Sequence, residues 1–324
     1  MKKRDIALIV GGGIGFAIAW KYVTRPESVD WDDVSHLVPN SDRSRFIDVD
    51  GLEIHYQEFG DKSDKTLIFI HGYSASTVTW ATAAPEMARR GFRVIALDLV
   101  GFGFSEKPDW FEYTIEAQAR MVERFMDLLG IGTATIVGHS YGGAVAKTIA
   151  LDYPERVEKL VSVAGVIDNR PKSHVLMRLG AVPGVGEVST AFLVDSKIFL
   201  ARRLAHMIAP ANRGIVTTQR VANYQRPLRS AETQSALIST SRNWDADRIS
   251  EDAELINQPT LLIWGDSDPL IPVHMGEKMF RLVLQSRLVV FKQCGHLIPE
   301  EKPAEFIHVL ETFCKNPKAD LSPS

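Results

Sequence analysis

A serine flanked by two glycines is the residue of this sequence best placed to do chemistry. Ser140 lies in the pattern G-x-S-x-G, with Gly138 before it and Gly142 after it. The apolar run 134–137 precedes the pattern and a helical stretch follows it, so Ser140 is expected on a sharp turn between a strand and a helix. Such a turn exposes the hydroxyl and directs the first N–H groups of the helix toward a developing oxyanion. Ser140 is therefore predicted to be a nucleophile.

A carboxylate and a histidine farther along the chain are its candidate partners. Asp268 lies in a turn that follows the run 260–264, and His296 follows the run 288–291. A histidine can take the serine proton as general base, and a carboxylate can orient the ring and stabilise its charged form. Asp266, in the same turn as Asp268, is an alternative acid that we expect to cap the turn instead.

Short apolar runs predict the strands that carry these residues. Such runs are typical of strands buried on both faces of a sheet. The runs are 67–70, 94–97, 134–137, 160–163, 260–264 and 288–291. Alternating residues on either side of Asp50-Gly51 predict a β-hairpin before them. The stretch 114–129 has one apolar stripe and ends at Gly130, which predicts a helix. Alternating strands and helices predict an α/β fold with a mostly parallel sheet.

The chain divides into six predicted segments. Residues 168–244 carry helical patterns without a comparable strand-like run, so we expect a helical cap inserted over the carboxyl edge of the sheet. The segments are 1–23, a signal anchor or signal peptide; 24–44, a linker; 45–167, the first part of the core; 168–244, the cap; 245–315, the second part of the core; and 316–324, a polar tail.

The N-terminal segment predicts a membrane association. The run from Ile6 to Trp20 has no charged residue, and three basic residues, Lys2, Lys3 and Arg4, precede it. A single-pass signal anchor is our preferred interpretation because the run is apolar on all sides. Basic residues before the run favour a cytoplasmic N-terminus, which would place the catalytic domain on the non-cytoplasmic side. Export after cleavage of a signal peptide is the alternative.

The composition excludes several classes of protein. The 324 residues are 45 % hydrophobic and 24 % charged, as in a soluble globular protein. The net charge of −3 provides no positive field for a nucleic acid, which we exclude as a partner. Cys294 and Cys314 lack the paired spacing of a structural zinc site. No motif for a cofactor is recognisable, so the sequence predicts neither a cofactor nor a metal.

The motifs together resemble the α/β-hydrolase superfamily, in its cap-bearing esterase, lipase and C–C hydrolase branch. The resemblance covers about residues 45–315. It rests on His71-Gly72, the segment 98–105, the turn around Ser140, the turn 265–272 and Gly295-His296. It implies an eight-stranded, mostly parallel sheet and a chain order of nucleophile, acid and histidine.

The resemblance also assigns roles to individual residues. Ser140, Asp268 and His296 would form a catalytic triad. The backbone N–H groups of Tyr73 and Tyr141 would form the oxyanion hole. Some members carry the acid after the sixth strand, where this chain has Asp168, so Asp168 is a further alternative.

Three functions follow as hypotheses. The first is a serine hydrolase that cleaves a carboxylic ester through an acyl-enzyme on Ser140. Its partner would be a small ester with an apolar acyl group, and an ester derived from a lipid, such as a monoacylglycerol, is one example. The second is a C–C bond hydrolase of the meta-cleavage type, although the loop 73–76 lacks the glycines and prolines usual there. The third is a catalytically inert, membrane-tethered binding protein.

Overall fold

An eight-stranded sheet forms the centre of the molecule. The computed structural model describes residues 29, 31–169, 182, 186, 190 and 196–318. The strands lie in the order β1-β2-β4-β3-β5-β6-β7-β8. β2 is antiparallel to β1 and β4, and all other neighbours are parallel, as the sequence predicted. The strands are β1 (Ser44–Val49), β2 (Leu52–Phe59), β3 (Lys65–Ile70), β4 (Phe92–Leu97), β5 (Ala134–His139), β6 (Val157–Val163), β7 (Thr260–Gly265) and β8 (Ser286–Phe291).

Helices connect and cover the strands. The predicted helix over 114–129 is present at 115–128, where the Thr114 side chain accepts a hydrogen bond from the Ala117 N–H at 3.0 Å. The α-helices of the described residues are α1 (Trp31–Val34), α2 (Ala83–Arg89), α3 (Ile115–Leu128), α4 (Tyr141–Asp152), α5 (Lys197–Met207), α6 (Thr218–Gln225), α7 (Ala231–Arg242), α8 (Asp247–Glu251), α9 (Val273–Leu282), α10 (Ile298–Glu301) and α11 (Pro303–Lys315). Short 3-10 helices are Ser35–Leu37, Ser41–Arg43, Thr77–Trp80, Pro154–Arg156, Pro210–Ile215, Arg226–Leu228 and Ala253–Leu255.

Two apolar clusters cover the two faces of the sheet. Every residue of β4, β5 and β7 is buried. Side chains alternate between the faces, so Ile68 and Ile70 join one cluster, while Leu67 and Phe69 join the other. Burial on both faces explains why the sequence of these strands is apolar without interruption.

A third apolar cluster joins the cap to the core. The described part of 168–244 contains helices and no strand. Leu204 and Met207 of α5 and Tyr224 of α6 pack in one cluster with Leu297, which follows His296. The cap therefore rests on the loop that carries the predicted base.

The described part of the predicted linker is packed rather than extended. Its residues from Trp31 to Arg43 form α1 and two 3-10 helices. The Trp31 ring lies 5.0 Å from His55 and 4.9 Å from Phe104 between centroids. No helix among the described residues is long and apolar enough to cross a membrane. The predicted anchor, 1–23, lies outside the described residues and stays a prediction.

Candidate active site

Ser140 lies on the sharp turn between β5 and α4. Its backbone has φ 53° and ψ −115°, which is a strained conformation for a residue with a side chain. Three backbone hydrogen bonds hold the turn: the Ser140 N–H donates to the Val163 carbonyl, and its carbonyl accepts from Gly143 and Val166, all at 3.0 Å. The strain is local and the surrounding bonds fix it, so the hydroxyl has a defined position.

Two glycines make this turn possible, as the sequence predicted. A Cβ atom on Gly138 would lie 2.1 Å from the carbonyl oxygen of Gly142. A Cβ atom on Gly142 would lie 2.4 Å from the carbonyl oxygens of Ile70 and His71. Backbone oxygens cannot move away at low cost, so larger residues at these positions would displace the turn.

His296 and Asp268 form a buried pair. The Nδ1 atom of His296 lies 2.7 Å from Oδ2 of Asp268. The other oxygen, Oδ1, accepts the N–H groups of Leu270 at 2.8 Å and Ile271 at 3.0 Å. These bonds orient the carboxylate so that Oδ2 can accept the Nδ1 proton, which leaves Nε2 with its lone pair. His296 and Ser140 line the same cavity.

The two alternative acids have other partners. The Oδ1 atom of Asp266 accepts the Cys294 N–H at 3.4 Å, so this side chain caps the turn. The Oδ2 atom of Asp168 lies 3.2 Å from the ammonium of Lys278. The geometry therefore couples Asp268, rather than either alternative, to His296.

The predicted oxyanion hole adjoins the serine. Tyr141 is the first residue of α4, so its N–H is one of the four without an acceptor inside the helix. The loop after β3 approaches from the other side, where a Cβ atom on Gly72 would lie 3.0 Å from the Ser140 Cβ. Tyr73, the next residue, lines the cavity. The roles of the Tyr141 and Tyr73 N–H groups as oxyanion donors stay predictions.

A buried histidine fixes the loop after β3. The Nδ1 atom of His71 lies 2.8 Å from the Gly72 carbonyl oxygen, and Nε2 accepts the Leu99 N–H at 3.1 Å. Burial lowers the pKa of His71, so the neutral ring with its proton on Nδ1 satisfies both bonds. His71 therefore has a structural role and fixes the backbone beside Tyr73.

His139 lies beside His296, the predicted base, and contacts its backbone. Its Nε2 lies 2.9 Å from the His296 carbonyl oxygen, and the two rings are 4.8 Å apart between centroids. Burial, reinforced by the neighbouring His296, lowers the pKa of His139 to about 3, so the ring is neutral and donates through Nε2. No pattern in the sequence indicates this contact, because the two residues are far apart in the chain.

Glu301 organises the loop on both sides of His296. Both of its carboxylate oxygens lie 3.0 Å from the Gly295 N–H, and Oε1 also accepts the Leu297 N–H at 3.3 Å. The side chain is buried, and charge-assisted bonds of this kind are stronger than neutral ones. The sequence offers several acids near His296 and does not distinguish this one.

The same carboxylate reaches the cap. Its Oε2 atom accepts the Ala209 N–H and the Asn212 side-chain amide, both at 3.0 Å. The His296 N–H donates to the Met207 carbonyl at 2.7 Å, in the last turn of α5. Glu301 therefore connects the cap to the histidine loop, and we infer that it positions His296.

Glu301→Gln is expected to lower kcat about 10- to 100-fold with little change in KM, because an amide NH2 would face N–H donors and the loop would shift. It should also lower the free energy of unfolding by about 3 kcal/mol. Steady-state kinetics and urea unfolding measure both effects. Glu305→Gln, which alters the pair with Lys302 on the next helix, is the matched control. An unchanged kcat in Glu301→Gln would contradict the positioning role.

The cavity above Ser140 has a volume of about 400 Å³. Its wall is mostly apolar, and α5 of the cap provides much of it. The apolar lining includes Phe199, Leu200, Leu204, Met207, Trp244 and Leu297. A cavity of this size and character accommodates an apolar chain or ring next to the serine.

A buried acid lies behind the cavity wall. The Tyr224 hydroxyl donates to Oε1 of Glu300, and Arg220 contacts Oε2 at 2.8 Å. Burial raises the pKa of Glu300 to about 7 despite the nearby guanidinium. Tyr224 lines the cavity, so this cluster supports the cap side of the wall.

The raised pKa of Glu300 predicts a pH-dependent stability. The unfolded chain loses this proton near pH 4.5, whereas the folded protein keeps it until about pH 7, so the free energy of unfolding falls as pH rises through this window. The contribution is at most about 3 kcal/mol. Urea unfolding at pH 5 and pH 8 should show a smaller difference in Glu300→Gln than in the wild type or in the exposed control Glu254→Gln. An equal difference in all three proteins would contradict the assignment.

The thiols and metal-binding groups give no second site. Burial raises the pKa of both Cys294 and Cys314, which disfavours a reactive thiolate. In the described part of the chain no three His, Cys, Asp or Glu side chains are grouped to hold a metal ion. The absence of a cofactor stays a prediction.

Comparisons with known proteins agree with this architecture. Residues 65–303 match the family model of the alpha/beta hydrolase fold. YugF, an uncharacterized hydrolase of Bacillus subtilis, is 29 % identical over 274 residues, which cover 84 % of this chain and 97 % of the relative. The 2-hydroxymuconate semialdehyde hydrolase of Pseudomonas sp. strain CF600 is 30 % identical over 257 residues, which cover 76 % of this chain and 86 % of that protein. A solved structure described as a membrane phospholipase A is 26 % identical with a TM-score of 0.71, and covers 98 % of this chain and 100 % of its own.

Proposed function

Because the chain belongs to the alpha/beta hydrolase fold family, we propose that it is a serine hydrolase that cleaves a carboxylic ester through an acyl-enzyme on Ser140. The observation that carries this proposal is the buried His296–Asp268 pair, whose histidine lines one cavity together with the strained serine. The hydrolase assignment agrees with the relatives, and the ester bond and the covalent step are our proposal.

The first half of the reaction acylates the serine. The Nε2 atom of His296 takes the Ser140 proton as the oxygen attacks the ester carbonyl carbon. The negative charge on the carbonyl oxygen is stabilised by the N–H groups of Tyr141 and Tyr73, each contributing about 3 kcal/mol. The histidine then protonates the leaving alcohol, and the ester C–O bond breaks.

The second half releases the acid. A water molecule gives its proton to His296 as it attacks the acyl carbon, and collapse of the second tetrahedral intermediate returns a proton to Ser140. Asp268 keeps the ring in the productive tautomer and stabilises the imidazolium in both halves. The carboxylic acid and the alcohol are the products.

The apolar cavity supports an ester with an apolar acyl group. Apolar residues of α5 are also required for its packing on the core. The support for an apolar acyl group therefore comes from the apolar side chains that line the open cavity. The relative described as a membrane phospholipase A, together with the predicted anchor, supports a lipid-derived ester such as a monoacylglycerol.

A C–C bond hydrolase of the meta-cleavage type is the second candidate. A relative named 2-hydroxymuconate semialdehyde hydrolase favours it. The same serine, histidine and acid could serve that reaction.

A panel of p-nitrophenyl esters with increasing acyl length tests the proposal. We expect turnover that rises with chain length until the cavity is filled, and weaker turnover of a meta-cleavage dienoate. Turnover of the dienoate alone would favour the second candidate. No turnover of either class, with no labelling of Ser140 by a fluorophosphonate, would favour an inert binding protein.

A further inference from the structure

The cavity above Ser140 has an unbalanced charge. Arg202, Arg203 and His206, all from α5, lie among the residues that line it. No Asp or Glu lies among the described lining residues. Two acids of the site, Asp268 and Glu300, are outside this lining and are hydrogen-bonded to the lining residues His296 and Tyr224. Among the described residues, the cap side of the cavity therefore carries arginine charge without a carboxylate facing it.

Arg203 is the least exposed of these three lining residues. Arg202 is exposed, whereas Arg203 is partly buried. In the part of the chain that the structure describes, no carboxylate lies within 4 Å of the Arg203 guanidinium. Buried and partly buried arginines are normally paired, as Arg220 is with Glu300 and Arg93 is with Glu58.

The neighbours of Arg203 do not supply the missing charge. They include the phenols of Tyr73 and Tyr224, whose pKa values are raised by burial, so both are neutral. Burial lowers the pKa of Arg203 itself, but a guanidinium stays charged at any ordinary pH. A desolvated cation facing an open cavity is suited to bind an anion that enters with the substrate.

We propose that Arg203 forms an anion-binding subsite, so that the preferred ester carries a carboxylate or a phosphate in addition to its apolar part. This inference rests on the proposed function, because the subsite lies in the cavity of the same serine. The planar guanidinium can donate two parallel hydrogen bonds to either kind of anion. Test esters with the anion in the acyl part or in the alcohol part will show which part of the ester Arg203 binds.

Two matched pairs of esters test the subsite. The acyl arm compares mono-p-nitrophenyl adipate with p-nitrophenyl hexanoate. The alcohol arm compares 1-hexanoylglycerol 3-phosphate with 1-hexanoylglycerol. We expect the wild type to prefer the anionic member of at least one pair by about 10- to 100-fold in kcat/KM. A preference for the neutral member of both pairs would overturn the proposal.

Variants assign the preference to one residue. Arg203→Ala should remove the preference by lowering kcat/KM for the anionic ester about 10- to 100-fold, with less than about 3-fold change for the neutral one. Arg203→Lys should restore part of it, and Arg229→Ala, an exposed cap arginine outside the cavity lining, should leave it unchanged. An equal loss on both members of a pair, or the same shift in Arg229→Ala, would overturn the assignment.

Binding without turnover separates this inference from the proposed reaction. Calorimetry on Ser140→Ala measures the Kd of 1-hexanoylglycerol 3-phosphate and of mono-hexyl adipate. We expect at least one of them to bind about 10-fold more weakly or worse when Arg203→Ala is added. If binding depends on Arg203 but the wild type hydrolyses no ester, the result would support the subsite and contradict the proposed reaction. Hydrolysis of neutral esters with binding independent of Arg203 would do the reverse.

Discussion

Ser140→Ala is expected to lower turnover of the best ester at least about 10³-fold, with little change in KM. Alanine keeps the Cβ atom and the three backbone bonds of the turn but removes the attacking oxygen. Steady-state kinetics measures the loss of turnover, with the protein concentration determined by a method that does not depend on the active site. Ser63→Ala, at an exposed turn far along the chain from the site, is the control and should be silent.

Ser140→Gly separates catalysis from backbone strain. Glycine accommodates φ 53° without the steric penalty of a side chain, so this variant should be equally inactive yet more stable than Ser140→Ala by about 1 kcal/mol. Urea unfolding compares the two variants. Retained turnover in either variant would contradict the role of Ser140, whatever its effect on stability.

The second large effect concerns the base and its acid. His296→Ala is expected to lower kcat about as much as loss of the serine, because no other histidine among the described lining residues is hydrogen-bonded to Asp268. Asp268→Asn should lower kcat about 10²- to 10⁴-fold, since an amide NH2 facing Nδ1 favours the wrong tautomer. Asp168→Asn is the matched control and should change kcat by no more than a few fold, because its partner is Lys278.

This prediction distinguishes two possible positions for the acid. A silent Asp268→Asn together with a crippling Asp168→Asn would move the acid to the end of β6. Near-ultraviolet circular dichroism of each variant checks that the fold is intact. A loss in both variants with an unchanged fold would place both carboxylates in the catalytic network, contrary to the geometry.

Much of the fold could be predicted because its signals are local. The strands of the parallel sheet are short apolar runs, and burial on both faces requires that composition. Gly138 and Gly142 are recognisable in the sequence because the turn requires glycine at both positions. Backbone oxygens lie within 2.4 Å of where their Cβ atoms would be. The resemblance to the α/β-hydrolase superfamily implied the eight-stranded sheet, and the structure and the family model confirm both.

The supporting residues could not be predicted, because their roles depend on distant partners. Glu301 is one acid among several in its segment until the fold brings Ala209 and Gly295 to it. His139 acquires its role only when His296 reaches it from the end of the chain. Trp31 was assigned to a linker, yet its ring packs on the core, since composition alone does not show a tertiary contact. Charge in a cavity, such as that of Arg203, is likewise visible only when the lining residues are known.

Mass spectrometry of the native protein after reaction with a fluorophosphonate tests directly whether Ser140 is a nucleophile activated by His296. We expect one adduct, located by peptide mapping on Ser140. It should be lost in His296→Ala and in the urea-unfolded wild type. An adduct on another residue, or an unmodified Ser140 in folded protein, would contradict it.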